Sequence, residues 1–192
     1  MKDLSNPKNA KPKAGSLLLA NAYIGDPNFE KSCILILEHN EKGTFGFKLN
    51  QLLTVCVSEL LPDLCNDLNC KVFMGGPVET NTLHFMHKRP DYFTKNITIS
   101  GDVYFSDQYK TLIEGLNSAE LKPNDVNFYL GYSGWGPGQL DEELKEKTWL
   151  VIPETSLQLD ALHLDYHWQN AMRKFGGTAA LWADAPDDPN LN

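Results

Sequence analysis

No apolar run in this 192-residue chain approaches the roughly 18 residues that a membrane-crossing helix needs. Lysines followed by Leu17-Leu18-Leu19 have the outline of an export signal. Their apolar core is shorter than the about 7–15 residues such a signal uses, so no membrane association is expected. Cysteine is scarce. Cys33, Cys56, Cys65 and Cys70 form no Cys-x-x-Cys pair. That set suits a reducing cytoplasm better than an exported disulfide scaffold. Positive charge is short as well, with 17 basic against 25 acidic residues and a net charge of −8. A general nucleic-acid binder would show a basic face, so direct nucleic-acid binding is not expected. Internal repeats and low-complexity blocks are absent too.

What is present suits one domain. The apolar share of 42% is enough for a real core. Lys2, Lys8, Lys11 and Lys13 against Asp3 leave the first thirteen residues at +3 and the rest of the chain at −11. Residues 1–14 therefore read as a flexible basic segment and 15–192 as a single domain. Strands are expected at 16–22, at 33–38 with both faces apolar, and at 44–50 after a four-residue hairpin loop at 40–43. Further strands are expected at 71–74, 82–87, 126–130 and 149–152, with one or two more over 97–105. A short helix fits 57–61. A second would start at Ser106 as its N-cap, with Leu112, Ile113 and Leu116 on one face. A third would carry Leu140 and Leu144 behind Pro137. The last would put Trp168, Met172 and Phe175 on one face, stop at Gly176-Gly177, and give way to an extended tail from Ala183. Strands interleaved with helices make the class mixed α/β.

The densest signal is Gly131-Tyr-Ser-Gly-Trp-Gly-Pro-Gly-Gln-Leu140, which packs four glycines and a tryptophan into ten residues. It reads as a stiff, Trp-plugged corner between a strand and a helix. Together with Gly15-Ser-Leu-Leu-Leu-Ala20, Asp26-Pro-Asn-Phe29, Leu37-Glu-His39, Gly46-Phe-Lys-Leu-Asn50, Gly75-Gly-Pro-Val78, Trp149-Leu150 and Pro186-Asp-Asp-Pro-Asn-Leu-Asn192, it resembles the YqgE/AlgH family from about Gly15 to Asn192. The resemblance implies a compact α/β (α+β) fold, a mixed sheet with a small closed β-barrel surrounded by helices. It also implies a bacterial cytosolic protein, in a family whose name carries a link to transcriptional regulation.

Each catalytic constellation fails on spacing. The Gly134–Gln139 loop lacks a phosphate-binding lysine, and the helix behind it opens with Asp141, Glu142 and Glu143, which repel phosphate. Ser133 has Trp135 where a nucleophile elbow needs glycine. His163 and His167 share a helix face but lack a third ligand. His84 and His87 should face opposite sides of a strand, and both pairs read as solvated histidines. Hairpin register pairs His39 with Thr44 and Cys33 with Asn50, so Glu38-His39 and Asn50 mark opposite ends of one hairpin. Asn50 then reads as a cap on the turn that follows it. No catalytic residue, metal or cofactor is expected. The expected role is a non-enzymatic regulatory or protein-interaction one, toward a protein partner the sequence does not identify. The expected partner surface comprises Asn50, Gly75, Gly76, Tyr132, Ser133, Trp135 and Gln139. The alternative is a hydrolytic or nucleic-acid-processing enzyme with a pocket between the Gly75-Gly76 and Gly131–Gln139 corners.

Overall fold

The computed structural model describes residues 10–64, 68, 70–153, 156–162 and 168–184. Among the described residues nine strands form one sheet: β1 (Ser16–Ala20), β2 (Cys33–Asn40), β3 (Gly43–Lys48), β4 (Lys71–Met74), β5 (Val78–His87), β6 (Ile97–Ser100), β7 (Val103–Ser106), β8 (Val126–Trp135) and β9 (Trp149–Pro153). Their spatial order is β6-β7-β5-β8-β3-β2-β1-β9, and β4 pairs with β8 in parallel. The helices are α1 (Val57–Leu60), α2 (Tyr109–Asn117), α3 (Gln139–Lys145), α4 (Trp168–Phe175) and α5 (Gly177–Trp182).

The mixed α+β class expected from the sequence is correct, but the barrel is not closed. The sheet curls into a half-barrel whose edges, β6 and β9, do not pair. Loop backbone spans the gap instead: the Asp102 amide donates to the Leu157 carbonyl, and the Asp102 carboxylate accepts from the Leu159 amide. The trough is also occupied. Trp168, Ala171 and Met172 of α4 pack with Leu17, Leu19, Leu35, Phe47 and Tyr129, and the Trp168 indole donates to the Ala20 carbonyl at 2.7 Å. Helical side chains thus take up space that a ladder between β6 and β9 would need.

The convex face is covered in two patches. Helix α3 packs Leu140 with Leu18, Ile34, Ile36, Trp135 and Trp149. Helices α1 and α2 pack Val57, Leu112 and Leu116 with Val72, Phe85, Val126 and Phe128. Covering on both sides explains why Cys33–Leu37 is buried throughout, Cys33 included.

Several local expectations shift. The β2–β3 loop is two residues, Glu41-Lys42, because Asn40 pairs with Gly43. His39 faces Thr44 as expected. A bulge between Ile36 and Glu38 then moves the register, so the Cys33 carbonyl meets the Leu49 amide rather than Asn50. Ser106 ends β7 and donates to the Lys95 carbonyl, while Gln108 occupies the N-cap of α2. Helix α3 starts at Gln139, two residues after Pro137, because Gly138 takes a left-handed φ of 72°. Gly176-Gly177 does stop α4, but α5 follows at once, and the expected extended tail lies beyond the described residues except for Ala183 and Asp184.

Strand β8 is the hub. Residues 127–130 have β4 on one side and β5 on the other. The link from β4 to β5 therefore crosses over β8, and it does so in Gly75-Gly76-Pro77. Backbone touches backbone there. A Cβ on Gly76 would lie 2.2 Å from the Tyr132 carbonyl carbon, and one on Gly75 would lie 2.3 Å from the Gly131 carbonyl oxygen. Gly131 bends β8 under the crossing with a φ of +68°. Gly131→Ala is expected to lower unfolding stability by at least about 2 kcal/mol, from left-handed backbone strain plus contact with the Gly76 and Val78 carbonyls, as read by urea denaturation.

His84 and His87 face opposite sides of β5, as expected, but neither reads as a solvated residue. His87 is fully buried among Phe85, Phe93 and Tyr104. Burial lowers its pKa to about 4, against smaller raising effects from Asn96 and Asp91. The fold keeps the neutral ring, whereas the unfolded chain protonates near the ordinary value of 6.5. Stability present above that value is lost as pH falls toward 4, by up to about 3 kcal/mol. Denaturation midpoints measured between pH 7.5 and 4.5 should drop more steeply in the wild type than in His87→Phe, which has no ring to protonate.

Candidate functional site

β8 continues to Trp135, so the first half of the expected Gly131–Gln139 loop is strand. Its ladder with β3 sets Thr44 against Trp135, Phe45 against Gly134 and Gly46 against Ser133. Only Gly136-Pro137-Gly138 turns, and it hands the chain to α3.

Trp135 is a plug on the convex face, 5% exposed. Its ring lies 6.2 Å from Phe29 and 5.6 Å from Trp149. Both indole N–H groups donate to one oxygen of Glu143, at 2.8 Å from Trp135 and 2.7 Å from Trp149. Gln139 donates to the other oxygen at 2.9 Å and accepts from the Gly136 amide. One carboxylate thus anchors α3 to two strands. A buried indole N–H needs an acceptor, and this requirement is the signal that could have marked Glu143 in the sequence.

The other expected site residues are also engaged with backbone. Asn50 accepts from the Cys33 amide and donates to the Lys31 carbonyl at 2.8 Å, bracing the turn that enters β2 rather than one that follows it. Ser133 is fully buried and donates to the Gly75 carbonyl at 3.0 Å. Gly75 and Gly76 are buried in the crossing. The two glycine corners do meet, but as touching backbones and not across a pocket. Asn50, Ser133 and Gln139 make their bonds at three separate places, with Ser133 buried, Asn50 half-buried and Gln139 on the exposed surface. His163 and His167, read as solvated histidines, lie outside the described residues, as do residues 1–9 of the basic segment. Among the described residues no three His, Cys, Asp or Glu side chains are grouped as a metal would require.

Tyr132 is different, because it reaches a groove. Phe45 and Tyr132 lie 4.9 Å apart by ring centroid, with His84 at 5.9 Å and 6.1 Å from them and Phe105 6.2 Å from Phe45. These four half-buried rings come from β3, β8, β5 and β7 and form one aromatic cluster over Phe47. Burial lowers the His84 pKa, with Glu79 pulling the other way. At its edge lies an open groove of about 440 Å³ between the β2–β3 hairpin tip and residues 134–136. Glu38, Phe45 and Gly134 line up across β2, β3 and β8. Gly134 leaves a gap in that row, and the Tyr132 ring lies over it. The sequence reading found Tyr132 but missed Phe45, Val78 and Gly134. Their convergence depends on strand order, which no local pattern reveals.

A family model described as AlgH-like matches residues 17–180. The chain belongs to the AlgH-like family. Relatives include the UPF0301 protein of Chlorobium limicola, 35% identical over 182 residues that span 95% of this chain and 97% of that one. The UPF0301 protein of Cytophaga hutchinsonii is 32% identical over 93% of this chain and 98% of its own. Among solved structures, the AlgH protein from Pseudomonas aeruginosa matches with a TM-score of 0.65 at 25% identity, over 93% of this chain and 98% of that chain. Protein DIP2367 from Corynebacterium diphtheriae matches with a TM-score of 0.71 over 92% and 94%; at 21% identity this shows the shared fold alone.

In this AlgH-like chain, Glu143→Ala would leave two indole N–H groups without their acceptor. It is expected to cost about 2–3 kcal/mol of stability and to red-shift tryptophan emission as the α3 corner loosens, measured by denaturation and fluorescence.

Proposed function

We propose that this AlgH-like chain is a non-catalytic cytosolic regulatory or interaction protein that engages a protein partner at the surface around Tyr132. One observation carries this reading. The side chains that could do chemistry near the family's glycine segment are spent on bracing backbone, while the neighbouring groove presents uncommitted aromatic surface. Exposed aromatic area beside polar rims suits protein recognition. The net charge of −8 favours a protein partner over nucleic acid. Among the described residues no helix is long and apolar enough to cross a membrane. The link to transcription that the family name carries would, on this reading, act through that partner.

The test is affinity capture of the tagged full-length chain under gentle conditions, with turnover assayed on hydrolase and nuclease substrates. A defined partner should be retained by the wild type, and its recovery should fall at least about tenfold with Tyr132→Ala. Turnover should stay at background. Recovery of no partner, or turnover that tracks the purified protein, would overturn the reading.

A further inference from the structure

A titratable ring sits inside the aromatic cluster itself. His84 has Phe45, Phe47, Phe105 and Tyr132 around it, at centroid distances of 5.9, 5.4, 6.5 and 6.1 Å. Its Nε2 is shut off from solvent and has no hydrogen-bond partner among the described residues. β3 and β7 present phenyl rings to it, and β8 presents the Tyr132 phenol. β5 itself supplies the Glu79 carboxylate, which acts on the ring electrostatically. Packed this way, the neutral imidazole leaves one polar atom unsatisfied. A second ring proton would add a charge away from solvent and make both nitrogens donors, with no acceptor at Nε2.

Glu79 stands on a segment outside the ladder. Val78 pairs with Tyr132 and Leu83 with Leu130, so β5 spends four residues where β8 spends one. Residues 79–82 form a bulge, and Glu79 takes a left-handed φ of 47° that a side chain other than glycine rarely adopts. The bulge passes close over Gly131, where an added Cβ would lie 3.2 Å from the Thr80 Cα. Tyr132 is the next residue along β8. Movement of this bulge breaks no bond of the β5–β8 ladder.

From this arrangement we propose that His84 is a pH-sensitive switch for the Tyr132 surface. Uptake of a second ring proton from solvent turns the imidazole out of the cluster toward the Glu79 carboxylate, and the 79–82 bulge shifts to meet it. Phe45 and Tyr132 then lose a ring that they pack on. The surface keeps its observed shape only while His84 is neutral. No covalent bond forms or breaks. The proposal rests on the interaction reading above and names how that surface is regulated. Its sign follows from burial, which favours the neutral ring against the smaller opposing effect of Glu79. The packed form is therefore secure above the ordinary histidine value of 6.5 and gives way as pH falls below it.

The experiment is an NMR titration of the isotope-labelled full-length protein from pH 7.5 to 5. It follows the His84 ring carbons, the rings of Phe45, Phe105 and Tyr132, and the amides of residues 79–82. His87, on the other face of β5, titrates at about 4 and so lies below this range. His84 should titrate below 6.5, and the ring and bulge signals should move on the same curve. Glu79 is exposed, so Glu79→Gln should fold, and it should shift that curve to lower pH because the carboxylate favours the charged ring. His84→Phe should abolish the movement of the other rings, with its denaturation midpoint at pH 7.5 reporting whether it folds. If it does not fold, the Glu79→Gln curve decides. Ring and bulge signals that stay still while His84 titrates, a His84 that stays neutral down to pH 5, or a curve that Glu79→Gln leaves in place overturns the proposal. Each of these outcomes leaves the interaction reading standing, since the titration uses the free protein and that reading depends on partner capture.

Discussion

Strand β8 exchanges neighbours along its length, and it can do so only where backbone passes over backbone without side chains between. Gly75, Gly76 and Gly131 provide that contact. Gly75 also ties the crossing to both flanking strands: its amide donates to the Leu130 carbonyl, and its carbonyl accepts from the Lys48 amide and the Ser133 hydroxyl. From this point β4 and β5 diverge to either side of β8, β3 takes over beyond them, and the curl of the half-barrel follows. A side chain at any of the three positions would separate strands that the rest of the sheet needs in contact.

The polar groups of the family segments follow from the same constraint. A sheet covered on both faces leaves little room for unsatisfied groups, so buried polar side chains must serve the backbone or one another. Ser133, Asn50 and Glu143 do this at three separate places. Lys48 shows how tightly the rule applies. Its ammonium is nearly buried and donates to the Asn28 carbonyl at 2.7 Å, and burial holds its pKa below the usual lysine value despite the nearby Asp26. What these braces leave over is surface: the half-buried rings at the open end of the trough.

Much of the fold was legible residue by residue. The doubly apolar run at Cys33–Leu37 signalled a covered strand, and the spacing of Trp168, Met172 and Phe175 signalled a helix with one buried face. Errors clustered where a long-range contact overrode a local signal. Glycine-rich 131–135 reads as loop by composition, yet pairing with β3 makes it strand. Ser106 has the chemistry of an N-cap, yet its hydroxyl is taken by the Lys95 carbonyl. The bulge at Leu37 shifted the far half of the hairpin by one residue and so changed what Asn50 could reach. The histidines of β5 read as solvated because no local pattern shows that Phe93 and Tyr104 will enclose His87.

Alone, then, the sequence determined the class, the family and most of the elements, because hydrophobic periodicity and turn chemistry act over a few residues. The glycine segment that marks the family was visible from the start, and so was its tryptophan plug. Only the tertiary structure decided that the barrel stays open, that the two glycine corners touch rather than enclose a pocket, and that Phe45, Tyr132 and Val78 border one groove. Each of these depends on which strands lie side by side. That order arises from contacts between residues tens of positions apart, which no local pattern encodes.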